Sequence, residues 1–250
     1  MEWEGSTLLL PSRKGETAIC IVSGGLDSLC VCGYLRLRKN YRVKALTFSY
    51  GQRARSEITA AKRISNKLDI EEHHTIDMNF MKELYGNSNA LTSEQVKLGK
   101  NFKSTLIVPV RNAIFITIAV AWAVSCNAKL VAFGAHAEDI RYPDCRPEFV
   151  KSLTKSLNLA DKDRISSRAK NKISIWSPSM DGLTKFELVK IGYQIVGDLV
   201  FQSWSCYFNG VKVPGRGLVH CGMCESCINR KVAFSKAGIE DKTIYANIRK

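Results

Sequence analysis

The sequence predicts an α/β protein, a parallel sheet with helices on both faces, and two observations support this prediction. Short apolar runs rich in β-branched residues alternate with segments of helical periodicity along most of the 250 residues. The first run ends in the sequence SGGLDS, at residues 23–28, which opens a helical segment. Strands joined through helices run parallel, and ligands bind such sheets at the carboxyl ends of the strands. We therefore expect a binding site where the first strand ends.

The periodicity places each element in chain order. Strands are predicted at residues 18–22, 43–48, 74–78, 130–133 and 173–176. Helices are predicted at residues 26–37, 56–68, 111–126, 148–159 and 184–196. The helix at 111–126 is apolar nearly all round, so it is expected to be the most buried of them. Thr184 and Glu187 have the spacing of a capping box at the start of the last helix.

Three connections are rich in polar residues. The stretch 83–104 contains Gly86 and Gly99 and has no sustained period, so it is expected to be a mobile flap that orders over a substrate. The stretch 134–146 is predicted to be a loop dense in ionisable side chains, and 160–172 a charged connection on the surface.

The composition indicates a soluble, cytoplasmic protein. The N-terminal residues do not have the pattern of a signal peptide, and the longest apolar stretch, 113–124, is too short to span a bilayer. The net charge of +14 suits an anionic ligand such as ATP, but the basic residues are spread along the chain. Direct binding of nucleic acid is therefore not expected, while an acidic macromolecular partner stays open.

The glycine turn at residues 23–28 is the strongest candidate for chemistry. Gly24 and Gly25 let successive backbone N–H groups converge, and the helix that follows directs its positive dipole end at the same point. Together these features predict a site for a phosphate-type anion. The lysine of a Walker-type loop is absent, which disfavours kinase and GTPase chemistry. The alternative is an ordinary turn in which Asp27 and Ser28 only cap the helix.

The cysteines near the C-terminus predict a metal site. Cys221, Cys224 and Cys227 follow one another at two-residue gaps, and Cys206 lies upstream. Four thiolates can close a tetrahedral Zn²⁺ site, which we expect to be structural. The alternatives are free buried cysteines, or His220 in place of one thiol. Because the zinc would hold this tail against the rest of the chain, we divide the protein into a core at 1–200 and a zinc-binding module at 201–250.

Six motifs occur together in the order typical of one family. They are SGGLDS at 23–28, YGQR at 50–53, VPVRN at 108–112, YPDCRPEF at 142–149, LTKFELVKIG at 183–192 and CGMCESC at 221–227. On these motifs the chain resembles the 7-cyano-7-deazaguanine synthase (QueC) family of PP-loop ATP-pyrophosphatases. The first motif is shared with other ATP-pyrophosphatases, whereas YPDCR followed by the cysteine cluster is much more specific.

The resemblance implies an ATP-dependent ligase of queuosine biosynthesis. In such an enzyme ATP, with Mg²⁺, adenylates the carboxylate of 7-carboxy-7-deazaguanine, and ammonia displaces AMP to give the amide. A second ATP activates the amide oxygen, and loss of AMP leaves the nitrile, 7-cyano-7-deazaguanine. A homodimer is expected from the resemblance alone.

The resemblance also assigns site residues. The nucleotide would be held by Ser23, Gly24, Gly25, Leu26, Asp27, Ser28, Tyr50 and Gln52, with Asp27 as a Mg²⁺ ligand. The deazaguanine would be held by Arg111, Asn112, Glu138, Asp139 and Asp144, and the catalytic roles fall to Asp27, Ser28, Arg111, Asp144 and Arg146. The alternatives are that Arg111 caps a buried helix and that Asp144 closes the turn after Pro143. Cys145 is expected to pack, because nothing beside it would lower its pKa.

Three departures from the family pattern leave the final product open. Leu29 stands where the family usually has threonine, Ala54 stands where it has histidine, and the gap from Cys206 to Cys221 is longer than usual. A second hypothesis is therefore a defence-associated relative (CBASS-type, antiviral) that adenylates the deazaguanine and conjugates it to a partner protein. An adenylating tRNA-modifying enzyme ranks third. A zinc-ribbon binding module without catalysis ranks last, because a large α/β core with an anion loop argues against it.

Overall fold

A computed structural model describes residue 10 and residues 14–160 and 172–246. Its centre is a five-stranded, all-parallel sheet in the order β3-β2-β1-β4-β5. The strands are β1 Thr17–Ile21, β2 Arg42–Ser49, β3 Glu72–Asp77, β4 Leu130–Ala132 and β5 Ser174–Trp176. All five predicted strands are confirmed, although β3 begins two residues before its predicted start. The strand order reverses between β1 and β4, which is where doubly wound sheets bind ligands.

Helices cover both faces of the sheet, as predicted. They are α1 Leu26–Gly33, α2 Ser56–Lys67, α3 Phe80–Tyr85, α4 Arg111–Ser125, α5 Pro147–Ala160, α6 Lys185–Val196 and α7 Glu225–Ala237. Ala18 and Cys20 of β1 pack with α1, α2, α6 and α7, whereas Ile19 and Ile21 pack with α3, α4 and α5. Since β1 is buried on both faces, its residues 18–21 are all apolar.

The prediction that the helix at 111–126 is the most buried is wrong. Five of the fifteen residues of α4 are buried, against seven of eight in α1. Several apolar residues of α4 are only half-buried. Ile114 lines a groove with α3, and the Trp122 ring contacts the side chains of His74 and Lys44. One stretch of the described residues, Ser104–Ser125, is long and apolar enough to span a membrane by length and composition. This is weak evidence, since one side of α4 packs on the sheet like a core helix.

The stretch 83–104 also differs from the predicted free flap. Asn89, Ala90, Thr92 and Ser93 are buried, and the Asn89 side chain accepts hydrogen bonds from the backbone N–H groups of residues 91 and 92. The guanidinium of Arg53 donates to three carbonyl groups of this segment, at 3.3–3.5 Å. These hydrogen bonds hold the segment against the residues that follow β2. The predicted charged connection at 160–172 falls almost wholly outside the described residues.

The last fifty residues combine a hairpin with a helix. The hairpin consists of antiparallel β6 Val211–Val213 and β7 Gly217–Val219, and it occupies the long gap between Cys206 and Cys221. After it, α7 packs on α6 and buries Phe234 in the main core. At the start of α6 the predicted capping box is confirmed, because the Glu187 carboxylate accepts from the Thr184 N–H at 2.8 Å.

Candidate functional site

A cavity of about 400 Å³ opens at the carboxyl ends of β1, β2 and β4. Its walls come from the glycine turn, the segment after β2, the start of α4, the loop after β4 and the start of α6. The C-terminal residues close it from the other side through Trp204 and one face of α7. The position agrees with the expectation that parallel sheets bind ligands at this edge.

The glycine turn depends on a close backbone contact at Gly24 and on hydrogen bonds of its serines. Gly24 has a positive φ of 88°, and a Cβ there would collide with the backbone oxygen of Glu57. The Gly24 carbonyl accepts from the N–H of Trp204 at 2.8 Å. Ser28 contacts the Ser23 hydroxyl at 3.1 Å and donates to the Gly25 carbonyl at 3.1 Å. The turn is thus braced by its own serines, and no side chain of the described residues caps α1.

Asp27 forms an ion pair that the sequence analysis missed. Its two carboxylate oxygens lie 2.8 Å and 2.6 Å from the ammonium nitrogen of Lys185 on α6. Burial acts to raise the pKa of Asp27, but Lys185 and His136 outweigh it, so that the pKa lies below its usual value. Burial acts to lower the pKa of Lys185, and Asp27 and Asp139 raise it above the usual value instead. Both groups are therefore charged, and Asp27 does not act as a helix cap.

His136 and Asp139 lie next to this ion pair. Asp139 accepts from the backbone N–H of His136 at 3.0 Å, and its carboxylate lies 3.4 Å from Nε2 of the same histidine. Burial raises the pKa of Asp139, against the opposing effect of His136 and Lys185. Glu138, also a predicted site residue, lines the cavity but uses its carboxylate to accept from the Lys185 backbone N–H at 3.0 Å. Such a contact stabilises the start of α6.

A second cationic group stands at the start of α4. The guanidinium of Arg111 donates to the Tyr50 hydroxyl at 3.2 Å and lies 5.6 Å from the centre of that ring. Burial acts to lower the pKa of Arg111, and Tyr50 and Asp144 raise it. Gln52 lines the cavity too, but its amide is occupied by the Tyr50 N–H and the Phe48 carbonyl. Arg111 and Tyr50 are therefore available to a ligand, whereas the Gln52 side chain braces the turn after β2.

The structure places two predicted site residues, Asp144 and Arg146, outside the residues that line the cavity. Asp144 is buried and accepts from the backbone N–H and the side-chain amide of Asn112, at 2.8 Å and 3.1 Å, and so holds the first turn of α4. Arg146 is exposed and donates to the Ile140 carbonyl at 2.8 Å. Asn112 itself does line the cavity.

Cys145 lines the cavity and is buried. Burial, followed by Asp139 and Asp144, raises the pKa of its thiol well above the usual range. An environment that opposes thiolate formation agrees with the interpretation that Cys145 packs.

Several lining residues were outside every motif-based assignment. Besides Lys185 and His136 these are Glu57 on α2, Tyr142 of the YPDCR motif, Tyr207 beside a cysteine and Glu225 at the start of α7. Three of them stand inside quoted motifs, so the motifs contained the signal. The sequence alone does not show which side chains of these motifs line a shared cavity.

The four cysteines converge as predicted. Their sulfur atoms lie within 4.8 Å of one another, all four residues are buried, and the sulfurs of Cys221 and Cys227 are 3.8 Å apart. A tetrahedron of Zn–S bonds about 2.3 Å long has an edge of about 3.8 Å. Backbone N–H groups at residues 221 and 224 point at the sulfurs of Cys206 and Cys221. The cluster therefore fits a single metal ion, whereas His220 donates no ligand atom to it.

Comparison with known proteins agrees with this architecture. A family model described as "Queuosine biosynthesis protein QueC" matches residues 17–238. A 7-cyano-7-deazaguanine synthase of Saccharophagus degradans is 35% identical over 238 residues, which cover 94% of this chain and all of the relative. A protein of the same name from Methanococcus maripaludis is 37% identical, over 91% of this chain and 98% of the relative. Among solved structures, the U34-tRNA thiolase NcsA of Methanococcus maripaludis covers 90% of this chain and 69% of its own, at 12% identity and a TM-score of 0.41.

The fold and the site together define the class of protein. A doubly wound parallel sheet with an S-G-G-x-D-S turn at its switch point, beside a four-cysteine metal site, is a PP-loop protein of the ATP-pyrophosphatase type. Within that class, the match over residues 17–238 and the 35–37% identity over nearly the whole chain show that the protein belongs to the QueC family.

Proposed function

We propose that the protein is an ATP-dependent ligase that converts 7-carboxy-7-deazaguanine and ammonia into 7-cyano-7-deazaguanine, with release of AMP and pyrophosphate. The observation that carries this proposal is the Asp27–Lys185 pair on the rim of the glycine turn, inside a cavity large enough for a small heterocycle and an activated phosphate. The names of the relatives, 7-cyano-7-deazaguanine synthase, support the choice of substrate.

The proposed chemistry follows from the charges around the cavity. A carboxylate becomes an electrophile only when its oxygen turns into a good leaving group, so the enzyme must favour transfer of adenylate to that oxygen. In this proposal, backbone N–H groups of the glycine turn and the ammonium of Lys185 hold the phosphate oxygens. Arg111, oriented by Tyr50, is a second cation for the negative charge of the substrate carboxylate or of the leaving AMP.

Asp27 remains the proposed Mg²⁺ ligand, with Ser28 bracing the turn. Mg²⁺ would supply charge neutralisation of the pyrophosphate, since it prefers one or two carboxylates together with phosphate oxygens and water. Among the described residues no group of three carboxylate or histidine ligands converges near Asp27. This arrangement suits an ion that arrives with the nucleotide.

We propose Zn²⁺ as the ion of the four cysteines, with a structural role. The supporting observations are that all four thiols are buried, that four potential ligand atoms converge on one point, and that the S···S separation is short. The division into a core at 1–200 and a module at 201–250 remains a proposal as well. A small cluster around Trp204 and the four cysteines supports it, although α7 packs on the core.

A cytoplasmic homodimer is also proposed. An apolar groove between α3 and α4 includes Phe80, Leu84 and Val110, which are 55%, 78% and 60% exposed. Burial of such residues against a second copy would remove apolar surface from water. Light scattering of the purified protein is expected to give twice the mass of the chain, and the single-chain mass would exclude the dimer.

A second candidate function is conjugation of the activated deazaguanine to a partner protein. The observation that favours it is the β6–β7 hairpin, which fills the unusually long gap between two of the metal-site cysteines and exposes Leu218. An acceptor protein would then replace ammonia as the nucleophile.

One experiment separates the two candidates. The purified protein is incubated with ATP, Mg²⁺ and 7-carboxy-7-deazaguanine, with and without ammonium, and the products are identified by mass spectrometry. The proposal predicts the nitrile and AMP only when ammonium is present. A reaction that stops at the acyl adenylate, with release of pyrophosphate only, or at the amide would favour a protein acceptor. Absence of both pyrophosphate and AMP would contradict both candidates.

A further inference from the structure

One wall of the cavity is not used by the proposed activation chemistry. It consists of Tyr142, Tyr207, Glu225 and Asn229, and we refer to it as the Glu225 wall. The Tyr207 hydroxyl donates to Glu225 Oε2 at 3.3 Å, and the Asn229 amide donates to Oε1 of the same carboxylate at 2.7 Å. Tyr142 and Tyr207 share a further hydrogen bond. Residues from two distant segments thus fix one carboxylate at the cavity surface.

Glu225 differs from Asp27 in its partners. It is 7% exposed, and no cation of the described residues forms an ion pair with it. Both of its donors are neutral, and each carboxylate oxygen keeps a free lone pair after one hydrogen bond. The N-terminal position on α7 stabilises its negative charge. A buried, oriented carboxylate without a cation is a ready acceptor for N–H donors.

Flat rings stand next to this carboxylate. Phe102 meets Tyr142 edge to face, with ring centres 5.6 Å apart, and the guanidinium of Arg141 lies 5.2 Å from the Phe102 ring. Leu91 and Leu106 add apolar surface from the same segment. Aromatic and apolar surfaces of this kind pack against a planar heterocycle. The Glu225 wall therefore suits a flat ring that carries N–H donors on one edge.

We propose that Glu225 is a specificity-determining residue that binds the N1–H and 2-amino groups of the deazaguanine ring, an inference that rests on the proposed function. These two donors lie side by side and match the two oxygens of one carboxylate. The adenine of ATP offers an amino donor next to a ring nitrogen that only accepts, so it cannot bind the carboxylate in the same way. The carboxyl group at position 7 is then directed away from Glu225, toward the cations of the activation site.

Glu57 is another acidic side chain that lines the cavity and for which the described residues provide no ion pair. It lies on the first turn of α2, and its own backbone oxygen packs against Gly24 of the glycine turn. This places Glu57 beside the phosphate end of the site. It therefore serves as the matched control for Glu225.

The test measures binding by isothermal titration calorimetry with the metal-loaded, full-length protein. The two ligands are 7-carboxy-7-deazaguanine and its analogue without the 2-amino group. Wild-type protein is expected to prefer the parent compound by at least about tenfold, because a hydrogen bond to a charged group is lost in the analogue. E225Q is expected to reduce the preference to less than about threefold, while E57Q keeps it. Metal content and melting temperature of E225Q are measured in parallel.

Y207F provides a second variant that leaves the carboxylate in place. It removes one donor that orients Glu225, so it is expected to lower the preference by a smaller factor than E225Q. If E225Q keeps the wild-type preference, the inference is wrong while the proposed function stands. If E225Q does not fold, an unchanged preference in Y207F overturns the inference in its place. If wild-type protein does not bind the parent compound, both the inference and the proposed function fail.

Discussion

The glycine-turn site and the cysteine cluster are both buried and both built from ionisable side chains, yet they are organised in opposite ways. In the cluster the four sulfurs lie within 4.8 Å of one another, and all four cysteines are buried. In the glycine-turn site the ionisable side chains of Asp27, Lys185, His136 and Asp139 line a cavity of about 400 Å³. We refer to the cysteine cluster as the closed site and to the glycine-turn site as the open site. A closed site contributes to folding, whereas an open site keeps charged groups ready for a ligand. The two sites should therefore respond differently to mutation.

The largest expected effect is on activity and comes from the open site. Lys185→Ala is expected to lower the rate of AMP formation by roughly 10²- to 10³-fold, because it removes a preorganised cation at the place where phosphate charge develops. Lys44→Ala is the control, since Lys44 on β2 also pairs with a carboxylate, that of Glu72, but does not line the cavity. Steady-state kinetics check both variants. A Lys185→Ala protein with wild-type kcat would remove the ion pair from the mechanism.

The closed site should show the opposite behaviour, a loss of stability. Cys224→Ser is expected to abolish stoichiometric metal binding and to lower the free energy of unfolding by more than about 4 kcal/mol, because a metal ligand is lost. Metal analysis and thermal unfolding measure the two quantities on the same sample. Cys126→Ser, at a half-buried cysteine outside the cluster, is the control. Full metal content in Cys224→Ser would contradict the four-thiolate assignment.

The pH dependence of stability tests one group of the open site, the carboxyl of Glu57. Burial raises the pKa of Glu57 to about 8. The folded protein then holds a proton that the unfolded chain releases, so stability falls as the pH rises from the usual glutamate pKa toward 8. Glu57→Gln should therefore have nearly the melting temperature of the wild type at pH 5 and a higher one at pH 8.5. Parallel melting curves across that range would place the Glu57 carboxyl in water.

The smallest effects concern Asp144 and Arg146, the two predicted site residues that do not line the cavity. Asp144→Ala is expected to cost about 1 kcal/mol of stability, since it removes a carboxylate that caps the start of α4. Arg146→Ala is expected to change stability by less than about 0.5 kcal/mol, as an exposed side chain. Urea unfolding measures both. If Arg146→Ala also abolished AMP formation at unchanged stability, its assignment to the site would have to be restored.

The sequence predicts the closed site better than the open one, for a physical reason. Three of the four cysteines lie within seven residues, so one local turn brings them together. Asp27 and Lys185 are 158 residues apart, and only the packing of α6 beside the glycine turn makes them partners. Likewise, the Trp204 N–H donates to the carbonyl of Gly24, although the two residues lie far apart in the sequence. Periodicity and turn chemistry locate elements and their ends, but they carry no information on such pairings.

The motif around Asp144 and Arg146 illustrates the same limit. The sequence places both side chains in one short stretch after β4, and this supports a shared site. In the fold the 3-10 turn Pro143–Cys145 directs Asp144 to the start of α4 and leaves Arg146 exposed. Tyr142, one residue before that turn, lines the cavity instead. Within this tight turn adjacent side chains point in different directions, so Cys145 lines the cavity whereas Asp144 and Arg146 do not.

The central claim is that the open site activates the substrate carboxylate by transfer of adenylate, and an isotope measurement tests it most directly. 7-Carboxy-7-deazaguanine with ¹⁸O in its carboxylate is incubated with ATP, Mg²⁺ and ammonium, and the AMP is analysed by mass spectrometry. The account predicts one ¹⁸O atom in AMP, because the carboxylate oxygen leaves bound to the α-phosphorus. Unlabelled AMP, or ADP together with labelled phosphate, would contradict it.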